Sequence, residues 1–305
     1  MKISPNSKNV IDTLEHLTHF DISENKDDGF IDLFLLPISS RNFDYENLST
    51  NLLESVADYA LSYRTKQLYE GKAMQLSKQA RSKYKNYIDN EGELGELLLF
   101  CILEGHLEAP KIFTKLELKT SNKLYVNGSD GVHLKKISHQ RYHLIFGESK
   151  TYKKLNSALK SAFSSIKDFK EETNLEGEKK SGIFFERGLI SSNIESVIFD
   201  DDESEILELL MYPDNKYKSN VKLEDAFSIF IGYEIDISKE QMNYSSDEFS
   251  EVIKQKVIGQ ISNQKEKIYQ LIKNNSLLGY TFYIFIMPFT EIETNRKKIL
   301  ESVLE

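Results

Sequence analysis

The residues best suited to chemistry lie between Gly128 and Lys150. An apolar run, Tyr142-His143-Leu144-Ile145-Phe146, leads through Gly147 into Glu148-Ser149-Lys150, and the turn Gly128-Ser129-Asp130-Gly131 opens a second strand candidate at Val132. Side chains alternate across a strand, so Glu148 and Lys150 project from one face. Two carboxylates and a lysine at strand ends suit the holding of a divalent cation and a water beside a phosphate. A third carboxylate, Glu96, lies in Leu94–Leu103, where the other residues are apolar or glycine. On a helix turning ~100° per residue it falls between Phe100 and Leu103, not on a water face. A carboxylate on a helix that is apolar all round needs a partner or a metal. The competing account is an ion pair with a lysine or arginine, or a helix start where the charge meets the dipole.

The same acid-x-lysine spacing recurs at Glu117-Leu118-Lys119, where an alternating solvent face explains it equally well. Glu148 is preferred because its strand is more continuously apolar, as a central strand must be, and because it follows Asp130. His133, His139 and His143 share the region; one of them as a general base competes with their being satisfied strand or turn histidines, which the metal-activated water favours. His16 and His19 are spaced i, i+3 within a predicted helix, Asn9 to His19; with no third ligand nearby they read as surface or capping residues.

Around these residues the periodicity predicts a strand at Phe30–Ile38 that ends early or lies at an edge because of Pro37. Helix follows from about Tyr45 to Lys85, broken near Gly71. Its second piece, Lys72–Lys85, is basic with Tyr84 interleaved: a solvated face or a phosphate-facing flank. Ile112–Lys119, Lys123–Asn127, Val132–Ile137 and Tyr142–Glu148 read as a strand meander. A helix from about Lys154 to Phe169 carries the stripe Leu155, Ala158, Leu159, Ala162, Phe163 and Ile166, with Lys153, Lys154, Lys160 and Lys167 off it. Glu171–Ser181 reads as a loop. The last third alternates helix Glu203–Leu210, strand Ala226–Tyr233, a long helix Asp247–Lys273, strand Tyr280–Met287 and helix Glu291–Leu304. The run Asp200-Asp201-Asp202-Glu203 lacks calcium-loop spacing and reads as a helix entry.

The 305 residues carry 40% hydrophobic content, enough for a sizeable core. A single cysteine, Cys101, excludes a disulfide framework and multi-cysteine zinc sites, and fits a reducing compartment. The first residues lack a signal core. The longest apolar run, Tyr280–Phe289, is far short of the ~20 residues that span a bilayer. A cytoplasmic protein with no membrane association is expected. Net charge is −9, yet Leu61–Asn86 carries +6 and Lys111–Lys170 carries +9, leaving −24 on the rest. A basic patch on an acidic body is the footprint expected for local binding of a polyanion.

Helix with Glu96, strands with Asp130 and with Glu148-x-Lys150, a basic helix and a later strand: this order resembles the core of the PD-(D/E)XK nuclease superfamily over roughly Gly92 to Tyr233. Ser129 stands where that pattern often has proline. The resemblance implies an α/β fold with a restriction-endonuclease-like core, a mixed central sheet flanked by helices, and an N-terminal helical and strand extension. The boundaries expected are residues 1–90, possible partner-binding region, and 91–305, nuclease domain with C-terminal additions. More narrowly, Gly95-Glu96, Gly128-Ser129-Asp130-Gly131 and Phe146-Gly147-Glu148-Ser149-Lys150, in a chain of this size, resemble the HamA family, the small subunit of the Hachiman anti-phage defence system. That resemblance implies metal-dependent DNA cleavage by an effector held in check by a partner helicase, HamB.

The expected mechanism follows from charge. Asp130 and Glu148, with Glu96 nearby, hold one or two Mg²⁺ (or Mn²⁺) ions; Lys150 orients the water or neutralises the phosphorane. Backbone contacts from Lys153, Lys154 and Lys160 carry no base information, so cleavage is expected to be weakly sequence-specific. The alternative is a non-catalytic nucleic-acid-binding or helicase-adaptor subunit of the same fold.

Overall fold

Strands that are apolar at nearly every position need cover on both faces, and two such strands form the centre of the molecule. In the computed structural model, which describes residues 1–85, 92–118, 128–171, 182–213 and 219–304, the chain runs α1 (Pro5–Asp12), β1 (Glu15–Asp21), β2 (Gly29–Leu35), a small β3–β4 hairpin (Ile38–Ser39, Asn42–Phe43), α2 (Tyr45–Ala60), α3 (Tyr63–Leu68), α4 (Ala73–Lys85), α5 (Glu93–Gly105), α6 (Lys115–Leu118), β5 (Gly131–Ser138), β6 (Arg141–Tyr152), α7 (Leu155–Glu171), α8 (Gly182–Asn193), α9 (Ser204–Met211), β7 (Lys222–Glu234), α10 (Ser238–Asn243), α11 (Ser246–Ser262), α12 (Lys265–Asn274), β8 (Thr281–Phe289) and α13 (Ile292–Leu304).

Six strands form one mixed sheet in the order β1-β2-β8-β7-β6-β5. The inner four are parallel; β1 and β5 pair antiparallel at the two edges. Phe282 to Phe289 of β8 are all buried, as are Ala226 to Tyr233 of β7, which is why these two occupy the middle. Gly29 opens β2 at φ +97, where any Cβ would run into the backbone of Phe282 on β8. The sheet therefore joins residues near the N-terminus to the C-terminal strand.

Helices cover both faces. α5 and α7 each pack on β6 and β7, from opposite sides. Gly147 of β6 faces Leu99 of α5, and Gly95 of α5 lies over Ser149 and Thr151. Glu148 reaches Ser165 of α7, and Tyr152 reaches Ser161. α1, α2 and α13 join α5 on its side, whereas α8 and α12 contact α7.

A mixed central sheet flanked by helices agrees with the sequence expectation. Several elements differ. The helix expected over Asn9–His19 stops at Asp12, where Thr13 turns back on Val10 through both its N–H and its hydroxyl. Glu15–Asp21 is a strand, its backbone satisfied by β2. β2 ends at Leu35, ahead of Pro37, yet it is an inner strand rather than an edge. The strand expected at Ile112–Lys119 shrinks to a bridge from Lys111 to His133 before α6 begins. Ile112, Phe113 and Thr114 are buried in succession, so no face alternates. Lys119 and Lys123–Asn127 lie outside the described residues, as does most of Glu171–Ser181. The long helix over Asp247–Lys273 divides into α11 and α12 at Asn263-Gln264, and α8 had no sequence signal.

Candidate active site

Asp130 begins the β5 hairpin and is held by β6. Its N–H donates to the Gly147 carbonyl at 2.8 Å, and its Oδ2 accepts from the Ser149 N–H at 2.6 Å and the Ser149 hydroxyl at 2.9 Å. Gly131 and Gly147 are register partners, so the turn lies against the strand that carries Glu148-Ser149-Lys150. Alternation along β6 then divides the triplet. Ser149 faces α5, whereas Glu148 and Lys150 project together toward α7, as their spacing predicts.

Lys150 Nζ stands 2.5 Å from Glu148 Oε1, with the two side chains 24% and 13% exposed. Burial, and then the negative charge of Asp130, push the Glu148 carboxyl up to about 7; Lys150 only partly offsets them. Burial pulls the Lys150 ammonium down, but Glu148 outweighs it and the lysine titrates above its ordinary range. Asp130, Glu148 and Lys150 thus form one electrostatic unit, short of positive charge.

Glu96 enters from the α5 face. It lies in the first turn of α5 and accepts the Tyr59 hydroxyl hydrogen bond at 2.8 Å; this tyrosine, on α2, had no signal in the sequence. Burial first, then the charge of Glu96, and more weakly that of Asp130, lift the Tyr59 hydroxyl well above its usual range. Gly95 allows the approach: a Cβ there would lie 3.0 Å from Thr151 Oγ1 and 3.2 Å from Ser149. Glu96 and Glu148 therefore approach Asp130 from opposite faces of β6. Among the described residues the three carboxylates do not gather their donor atoms within 4.8 Å of one another, as one other group does. Asp130 and Glu148 fit a hard divalent cation, since magnesium is commonly held by one or two carboxylates and keeps several waters.

A buried pair braces the Asp130 turn. Glu186 of α8 is fully buried and accepts from Lys115 Nζ and from the Ser129 N–H at 3.1 Å; Lys115 also donates to the Ser129 carbonyl. Sequence reasoning counted Lys115 as surface charge and did not single out Glu186. A lone acid in Ile183-Phe184-Phe185-Glu186 was the available signal.

A family model described as HamA matches residues 9–303, nearly the whole chain. The chain belongs to the HamA family. As a HamA-family chain it is a component of the Hachiman defence system. Comparison with curated proteins gives no match.

The basic character of this HamA-family chain is partly internal. Lys111 Nζ donates to the carbonyls of Asp58, Tyr59 and Leu61, and burial pushes it down to about 8. Lys135 donates to the Leu107 carbonyl, and Arg141 pairs with Glu224. Lys154 and Lys160 are exposed; Lys153 is exposed but 3.0 Å from Glu293 of α13. Tyr84 is buried with its hydroxyl on the Glu93 carbonyl, so it presents no ring to a base. His133 is buried with Nδ1 on the Ala109 carbonyl, a satisfied strand histidine; His143 is buried with Nδ1 on the Tyr283 hydroxyl, whereas its Nε2 meets no hydrogen-bond partner among the described residues. Glu117 belongs to α6, not to a strand. Among the described residues no helix is long and apolar enough to cross a membrane.

Proposed function

We propose that the chain is a metal-dependent deoxyribonuclease, the effector of its Hachiman system, acting in the cytoplasm under the control of a HamB-like helicase. The observation that carries the reading is the juxtaposition of Asp130, held by Ser149 at the start of the β5 hairpin, with the Glu148–Lys150 ion pair on β6, which leaves two carboxylates beside one lysine. Asp130 and Glu148 would hold Mg²⁺ or Mn²⁺, with Glu96 contributing from the α5 face. When bound, the ion supplies a water of lowered pKa and positive charge against the phosphate. Ser149 fixes the Asp130 carboxylate in place. Lys150 places an ammonium where negative charge develops on the phosphorus oxygens, and in a site that excludes water such a charge acts strongly. Lys153, Lys154 and Lys160 contact the DNA backbone and confer no base preference. Residues 1–90 are assigned to the partner and 91–305 to the nuclease.

The test is nicking of supercoiled plasmid with Mg²⁺ or Mn²⁺ by the wild type, Glu148→Ala and Lys150→Ala. Loss of cleavage in both variants is the expected result. Equal cleavage by all three removes the site assignment. DNA binding without cleavage by the wild type, with the helicase supplied, favours the adaptor alternative.

A further inference from the structure

Asp32 of β2 is 2% exposed, and among the described residues neither lysine nor arginine pairs with it. Its partners are imidazoles. His106 Nε2 stands 2.8 Å from Oδ2; His19 Nδ1 and His16 Nε2 stand 2.7 and 3.1 Å from Oδ1. His16 and His19 come from β1 and His106 from the residue that ends α5. A neighbouring strand and the end of a helix 74 residues away thus converge on one buried carboxylate of β2. A buried carboxylate is costly unless positive charge accompanies it, and neutral imidazoles supply hydrogen bonds but no charge.

We propose that His16, Asp32 and His106 form a site for a divalent transition-metal ion, filled by zinc, at the other end of α5 from Glu96. One donor atom from each residue lies within 4.8 Å of the other two. Two imidazoles, a carboxylate and an open position make a recurrent zinc set; bonds of roughly 2.0–2.1 Å place tetrahedral donors roughly 3.3 Å apart. The observed 2.8 and 3.1 Å separations, one to each oxygen of Asp32, lie a few tenths below that, and the two imidazoles offer nitrogens within 4.8 Å of each other. Phe34 and Phe285 wall the site: the His106 ring meets both edge-on, at 5.0 and 6.0 Å, and the His16 ring lies 5.2 Å from Phe34. Such a shell fixes ring orientation. The side chains of His16 and His106 are 40% and 26% exposed, which provides entry for the ion and room for a fourth, water ligand. His19 holds Oδ1 from outside the set.

The ion ties the C-terminus of α5 to β1 and β2. Ten residues separate His106 from Glu96, about 15 Å along the helix, so the zinc site is distinct from the Asp130 and Glu148 pair, and it stands or falls independently of nuclease activity.

The test uses the full chain carrying Asp130→Asn and Glu148→Ala, stripped of metal, so that the carboxylate site takes no part. Equilibrium dialysis with zinc is expected to give one ion per chain, and thermal melting to show a rise in Tm with zinc. His16→Asn and His106→Asn, each verified as folded by circular dichroism, are expected to weaken zinc binding more than ~10-fold and to abolish the rise. Cobalt provides a readout that needs no substitution at the site: strong visible absorption of a four- or five-coordinate ion is expected, whereas only a weak six-coordinate spectrum overturns the proposal. No zinc bound, or zinc held by both histidine variants as tightly as by the parent chain, overturns it as well.

Discussion

Ser149 donates both its N–H and its hydroxyl to one oxygen of Asp130, at 2.6 and 2.9 Å. The residue between Glu148 and Lys150 is therefore the clamp on the other carboxylate of the unit. Ser149→Ala keeps the N–H bond and loses the hydroxyl. We expect a stability loss of about 1 kcal/mol, typical of one hydrogen bond, and a fall in nicking of no more than about tenfold, the rate equivalent of ~1.4 kcal/mol. Asp130→Ala should abolish nicking. Parallel melting and nicking assays check this; a serine variant as inactive as Asp130→Ala would show that the hydroxyl does more than position.

Two buried groups give opposite pH slopes in the metal-free protein. Burial pushes His133 down to about 4 from an ordinary value of 6.5, so the folded state binds fewer protons than the unfolded state between those values, and stability is lost as pH falls through the window. Glu148 is raised from 4.5 to about 7; the folded state binds more protons there, and stability is lost as pH rises. Each slope is at most ~1.4 kcal/mol per pH unit. Glu148→Gln should therefore make stability climb more steeply between pH 4.5 and 7 than in the wild type, and His133→Gln should make it decline. Urea unfolding across that range measures both; parallel curves for the two variants contradict the assignment.

Lys115 and Glu186 form a buried ion pair beneath the Asp130 turn. Breaking such a pair by removing one partner costs about 3–5 kcal/mol, whereas replacing both with apolar residues is often neutral. Lys115→Met is expected to lower Tm and to depress nicking by releasing Ser129. Lys115→Met with Glu186→Leu should recover most of the Tm but not the nicking, because the Ser129 carbonyl still lacks its donor and the Ser129 N–H has now lost its acceptor. Full recovery of both would separate the turn from the pair.

DNA affinity should depend unequally on the three lysines. Each backbone contact removed lowers the salt slope by ~0.9. Lys154→Ala and Lys160→Ala should each show that decrease, whereas Lys153→Ala should show less, since Glu293 already holds its ammonium. Binding titrations at several salt concentrations with Mg²⁺ omitted would reveal it; three equal slopes would place Lys153 on the DNA as well.

Local pattern was enough for much of this molecule. The common face of Glu148 and Lys150 follows from alternation, the α7 stripe from Leu155 to Ile166 follows from helical period, and continuous apolarity marks β6 as an inner strand. These are properties of the backbone over a few residues, and the surrounding fold does not alter them. The opposite faces taken by Glu96 and Glu148 depend instead on α5 and α7 packing on opposite sides of β6. The inward turn of Lys111, Lys115 and Lys135 depends on carbonyls and a carboxylate distant in sequence, so part of the +9 counted along the chain is not surface charge. His16 and His19 look like members of a helix until β2 pairs with Glu15–Asp21. Only that pairing and the end of α5 bring Asp32 and His106 to them, because contact between residues 74 apart is decided by strand order and helix packing, quantities that no short window of sequence contains.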